Sequence, residues 1–143
     1  NNWKMGNLSV GKADSIPTRP KRPLKPILSD AKNVPRRRIG KSHKGRIALL
    51  HAIAHIELNA IDLAWDLIAR FSNPSLPNNF YSDWLEVAVD EARHYTLVSK
   101  RLSELNTAYG DFAAHDGLWE AAIDTKDNLV SRLAIIPLVM EAR

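Results

Sequence analysis

Cysteine is absent from the 143 residues. That excludes a disulfide scaffold, a thiolate zinc site, an iron–sulfur cluster and a cysteine nucleophile, so any metal has to be held by Glu, Asp and His. No apolar run reads as approaching the roughly 18 residues of a membrane span. The opening Asn1-Asn2-Trp3-Lys4 has neither a leading Met nor an apolar signal segment, so no targeting peptide is read and a cytoplasmic location is expected. Internal repeats and period-two strand patterns are also missing. What is present, 45% hydrophobic and 25% charged residues, is ordinary soluble globular composition, and the length gives one domain with a sizeable core. A large multidomain enzyme, a fibre and a wholly disordered chain are excluded.

The net charge of +4 conceals a division. Residues 1–46 carry 13 Lys/Arg against Asp14 and Asp30, or +11, and the remainder carries 7 against 14, or −7. Five of the eight prolines (Pro17, Pro20, Pro23, Pro26 and Pro35) also fall in the basic part. Each removes a backbone donor and disfavours helix in the residue before it. Residues 1–41 are therefore expected to form an extended basic arm, and residues 42–143 a helical bundle. Leu24, Ile27, Leu28 and Val34, spaced through the arm, suggest that it lies along a partner or its own helices.

Three long helices are expected. The first spans Gly45 to Phe71, dense in Ala, Leu and Ile, and ends at a loop with Pro74 and Pro77. The second starts at Ser82 or Asp83, where Asp83 and Glu86 have capping-box spacing, and runs to about Asn106. After a loop holding Tyr109, Gly110, Asp111 and His115, the third runs from about Gly117 to Arg143, with Pro137 kinking it. The fold class is all-α, an antiparallel bundle.

At 100° of rotation per residue, Glu57 shares its direction with Leu50, Ile53, Ala54, Ile61, Ala64 and Ile68. Glu91 aligns with Trp84, Val87, Ala88, Tyr95, Val98 and Leu102, and His94 projects from the same face one turn on. Glu141 points along Ile123, Val130, Ala134 and Leu138. His51, His55, Asp62 and Asp66 fall on the opposite side of the first helix and read as a solvated or partner-facing edge. Three helices thus direct a carboxylate inward, and one adds an imidazole. A lone buried carboxylate is driven neutral by desolvation, so three together call for a common cation. Carboxylate and neutral imidazole suit iron or manganese. For any one of these glutamates alone, a salt bridge or a helix-end position is the competing explanation.

Glu57, the run Asp90-Glu91-Ala92-Arg93-His94 and Glu141 resemble the ferritin-like di-iron carboxylate superfamily. His51-Ala52-Ile53-Ala54-His55-Ile56-Glu57-Leu58 and His115-Asp116-Gly117-Leu118-Trp119-Glu120 are similar, more narrowly, to a bacterial branch of unassigned function distantly related to the diiron tRNA hydroxylases. The resemblance covers about residues 17–143. It implies a ferritin-like bundle, with Glu57 a terminal or bridging ligand, Glu91 a bridging ligand, His94 a terminal imidazole and Glu141 the ligand from the third helix. The implied cofactor is dinuclear iron, with manganese as the other candidate, and the implied activity is oxygen-dependent oxidation or hydroxylation of an unidentified substrate. The superfamily supplies a second Glu-x-x-His from a fourth helix, which has no counterpart here. Leu133, Ile135, Ile136, Val139 and Met140 surround the third helix with more apolar surface than one pair of neighbours would cover. The expectation is therefore that the chain is part of a longer product and binds at most one metal.

Competing readings attach to the remaining residues. Tyr95, Trp65, Trp84 and Trp119 could relay electrons, but core packing is preferred. His51 and His55, spaced i, i+4, could bind a metal, and surface hydrogen bonding is preferred. Arg36, Arg37, Arg38, Lys41, Lys44 and Arg46 could pair with tRNA phosphates. With no aromatic interleaving, docking of the arm on the acidic bundle or on a protein subunit, including a second copy, is preferred. The alternative function is a noncatalytic helical module that binds a protein or RNA partner through the arm.

Overall fold

The computed structural model describes residues 2–30 and 42–141, with side chains described as far as Pro137. Arg36, Arg37, Arg38 and Lys41 and the side chains of Leu138, Val139, Met140 and Glu141 lie outside the described residues. The chain is predominantly helical, in the order β1 (Leu28–Ser29), α1 (His43–Arg70), α2 (Asn78–Glu104), β2 (Ala114–His115), α3 (Gly117–Asp124) and α4 (Leu129–Glu141).

Helix α1 starts where Ser42 caps it, the hydroxyl accepting from Gly45 N–H at 3.1 Å. A window of α1 reaches a mean hydropathy of 1.4, so by length and composition it could cross a bilayer, contrary to the sequence reading. It packs instead against α2, α3 and α4 as the central helix. Helix α2 begins at Asn78, one turn before the expected capping box. Tyr81 explains the extra turn: its ring is buried, and its hydroxyl both donates to Asn73 O and accepts from Asn73 N–H, each at 2.9 Å. Glu86, freed from capping, pairs with Lys4.

The expected third helix is two helices. Asp124-Thr125-Lys126-Asp127-Asn128 offers no apolar side chain to pack, and Asn128 Oδ1 accepts from Ser131 N–H to start α4. Pro137 lies inside α4 without ending it. A two-residue parallel pair, unforeseen, joins Leu28 to Ala114 and Ser29 to His115.

The described part of the arm lies on the helices. Trp3 Nε1 donates to Ser82 Oγ at 2.9 Å, Arg22 pairs with Asp62 at 2.5 Å and Arg19 with Asp116, and Thr18 and Pro17 carbonyls accept from Trp119 and Arg70. Trp119 is buried with Leu63, Ala122 and Ile136, whereas Trp65 is half exposed and not a core residue.

His51, His55 and Asp66 are buried, correcting the expectation of a solvated edge. Their partners come from distant sequence. His51 Nε2 accepts from Gly110 N–H at 2.9 Å. Gly110 has φ 107°, and a Cβ there would stand 3.1 Å from Lys25 Cβ, so glycine is required. His55 lies 3.0 Å from the His115 carbonyl through Nε2 and 2.9 Å from Tyr109 OH through Nδ1. The carbonyl can only accept, so Nε2 carries the proton and Nδ1 accepts from the phenol. Asn59, one turn on, accepts from Arg22 at 2.7 Å.

Asp66 accepts from Arg70 at 2.5 Å and from Arg132 at 2.6 Å. Arg132, 1% exposed, also donates to Thr125 Oγ1 and the Ala122 carbonyl, and stacks over Phe71. One carboxylate thus joins α1, α3, α4 and the arm. Removing it strands two guanidinium groups, one fully buried. Asp66→Ala is expected to cost about 3–5 kcal/mol in urea unfolding, or to prevent folding. A loss below about 1 kcal/mol, the range of exposed pairs, would show that the network does not organise the fold.

Candidate metal centre

Glu57 of α1 and Glu91 and His94 of α2 each bring a ligand atom within 4.8 Å of the others. Spacing of i, i+3 stacks Glu91 and His94 on one face of α2. His94 Nδ1 lies 3.0 Å from Glu91 Oε2 and 3.8 Å from Glu57 Oε2. Glu141 ends α4, and its side chain lies outside the described residues. The structure therefore brings together three of the four sequence-predicted ligands.

The cluster is less enclosed than the helical arithmetic implies. The Glu57 and Glu91 side chains are 18% and 21% exposed, but His94 is 52% exposed, so it stands at the rim and not in the core. Among the described residues nothing covers this side of the α1–α2 seam, where Ile56 and Val87 are also exposed. Behind the rim is a cavity of about 360 Å³. Ala60, Leu63, Ala64 and Leu67 of α1, Trp84 and Val87 of α2, and Ile136 and Pro137 of α4 form its apolar wall.

Burial pushes the Glu57 carboxyl up to about 7; the adjacent Glu91 adds to the rise and His94 opposes it. The hydrogen bond to Glu91 raises His94 above its ordinary value. Glu57 and Glu91 thus share too little positive charge when no cation is bound, and Glu57 is partly protonated near neutral pH. A divalent cation would reverse this: it would hold Glu57 ionised and release its proton on binding. Two carboxylates and an imidazole are a donor set for iron, manganese or zinc.

His51 and His55 do not join the cluster, their ring nitrogens being engaged with the loop that carries Tyr109 and Gly110. Burial lowers the His55 pKa to about 4, so it stays neutral as a structural group. Tyr95 is half-buried with its ring against Tyr109 at 5.6 Å. Sequence reasoning missed Arg132. Its only signal was a basic residue within the apolar run Leu129 to Met140.

These features define a helical protein with a carboxylate–imidazole cluster at the mouth of an apolar cavity. A family model described as protein of unknown function (DUF455) matches residues 1–143, and the chain belongs to that family. It is similar to an uncharacterized protein of Haemophilus influenzae, 44% identical over 126 residues, a match covering 85% of this chain and 43% of that protein. The chain therefore spans less than half the length of that relative. No solved structure matches.

Glu57 and His55 give opposite pH dependence to the metal-free protein. Glu57 is raised from 4.5, so the folded chain holds an extra proton and loses stability as pH rises from 4.5 to 7. His55 is lowered from 6.5, so the unfolded chain takes up a proton first and stability falls as pH drops from 6.5 to 4. Glu57→Gln should remove the first effect. Its melting temperature relative to wild type should be higher at pH 8 than at pH 5 in chelator; an equal difference at both pH values would contradict the Glu57 assignment.

Proposed function

We propose that the protein is a ferritin-like metalloprotein in which Glu57, Glu91 and His94, together with Glu141, hold iron, with manganese as the alternative metal, for oxygen-dependent oxidation or hydroxylation of an organic substrate. The observation that carries this reading is the convergence of two like-charged carboxylates and an imidazole within 4.8 Å beside an apolar cavity. A surface ion pair needs no such space. A metal oxidase does, because substrate must reach the metal while bulk water is kept away.

Bound iron would supply the binding and reduction of dioxygen. In a hydroxylation, one oxygen atom enters a substrate C–H bond and the other leaves as water, with two electrons from an external donor and two protons. The chain's own residues ligate, and their second partners hold them in position: α1 is fixed by the Asp66 and His55 networks, one on either side of Glu57 along the helix. The superfamily resemblance implies a further helix with its own Glu-x-x-His. The open rim at Ile56, Val87 and His94 is the side on which it would pack, completing a dinuclear site and closing the cavity.

Glu91→Ala should lower bound iron or manganese at least about tenfold, a ligand loss no smaller than the 10–100-fold common for outer-shell changes. His51→Ala and His55→Ala should leave metal content within about twofold wherever the variants fold, since neither ring faces the cluster. Elemental analysis after metal loading and desalting decides this. Equal metal in wild type and Glu91→Ala would refute the site, and a selective loss in the histidine variants would move it.

A further inference from the structure

Helix α2 packs on α1 and is buried at Tyr81, Ala88 and Leu102, so most of its circumference faces outward among the described residues. At 100° per residue, Glu86, Val89, Arg93, Leu97 and Lys100 fall within about 80° of one another, on the side turned away from Ala88 and Leu102. All five are exposed, Val89 and Leu97 to 60% each. Their intervals of three, four, four and three residues make the stripe symmetric about Arg93. Read in reverse against itself, it sets Val89 opposite Leu97 and Glu86 opposite Lys100. The other exposed charges keep the same order. Before Arg93 the exposed acids are Asp83, Glu86 and Asp90 with no exposed base; from Arg93 onward Arg93, Lys100 and Arg101 stand against Glu104.

We propose that this face of α2 is a dimer interface, in which two copies of the chain pair antiparallel about a two-fold axis at Arg93. The occupant is a second copy because the face complements its own reverse, the condition for an isologous contact. A groove of about 620 Å³ beside the stripe supplies the apolar seat. Trp3, Leu8, Leu85 and Val89 form its apolar wall, with Trp3 held by its bond to Ser82. In the antiparallel register Leu97 and the stem of Arg101 from the other copy meet this groove. Lys4 occupies one oxygen of Glu86, at 2.9 Å, and the carboxylate can accept Lys100 of the second copy at the other. At the axis each Arg93 is already paired with Asp90 at 2.7 Å, so two charges of each sign meet there. Val87, Glu91 and His94 lie about 100° or more round the helix from Arg93. The interface therefore leaves the rim of the metal centre open and does not depend on the metal reading.

Light scattering on the purified chain over a micromolar concentration series should approach twice the 16.0 kDa of one chain. Leu97→Glu should raise the dissociation constant at least about tenfold. Glu86→Lys and Lys100→Glu should each do the same, since either turns attraction into repulsion at two symmetric places. Mixed in equal amounts, these two single variants should pair with each other at near wild-type affinity, each supplying the charge that the other lacks. The three positions are exposed, so helical circular dichroism should not change. The chain has no cysteine of its own, so Arg93→Cys should give a disulfide-linked dimer on oxidation. Glu104→Cys, about 33 Å from its counterpart in this register, should not. A monomer throughout the series, a dimer indifferent to Leu97→Glu, or charge variants that fail to pair on mixing would each overturn the proposal. Equal cross-linking of Arg93→Cys and Glu104→Cys would mean parallel pairing and would overturn it as well.

Discussion

Helix α1 is buried on more than one side, and every ionisable or amide group it carries inward has to be matched by a group from elsewhere. This constraint orders much of the fold. Asp66 is matched by Arg70 and Arg132, Asn59 by Arg22, and His55 by Tyr109 and the His115 carbonyl. These partners come from the arm, the loop after α2 and α4, so satisfying one helix places most of the chain around it. Buried polar groups left unmatched cost far more than a matched pair contributes, which makes such a network specific even where its net stabilisation is small. Glu57 departs from this pattern: the group facing it is another carboxylate, and the imidazole beside them is half in solvent.

That departure separates stability from function. A chain that gives its other inward polar groups on α1 well-formed partners, yet sets Glu57 against Glu91, holds its unfavourable electrostatics at one place. Local strain of this kind is tolerated where the surrounding structure fixes it, and it is relieved when a ligand of the right charge arrives. The Asp66–Arg132 network has the opposite imbalance, with one cation in excess. The two lie on α1 on either side of the apolar residues Ala60, Leu63 and Ala64 that line the cavity.

The sequence made the main helices and the Glu57–Glu91–His94 cluster readable because both depend on periodicity. Breaker-free runs gave α1 and α2 within a turn, and 100° spacing put Glu57 and Glu91 on inward faces. It failed where long-range pairing overrode local pattern. His51, His55 and Asp66 look like a polar stripe, and a polar stripe is ordinarily wet; here loop and arm residues tens of positions away cover it. Trp65 looks like core but faces a side that the arm covers only in part. His94 follows the helical face of Glu91, but α2 has no neighbour on that side among the described residues. The break at Asp124 to Asn128 was legible in principle from its five polar residues and the asparagine cap, but the apolar residues on either side suggested continuity. Arg132 could not be placed, because nothing local to it distinguishes a buried arginine from one that extends to solvent.

The account turns on whether a cation completes the Glu57–Glu91–His94 group. X-ray absorption at the iron edge on the iron-loaded chain measures this directly, since it distinguishes carboxylate oxygen from imidazole nitrogen around the metal. The expected spectrum shows bound iron in a shell dominated by oxygen with a single imidazole, and that imidazole signal disappears in His94→Ala. A shell with two or more imidazoles would place the metal at His51 and His55, and a purely aqueous shell would mean that the two glutamates meet for some other reason.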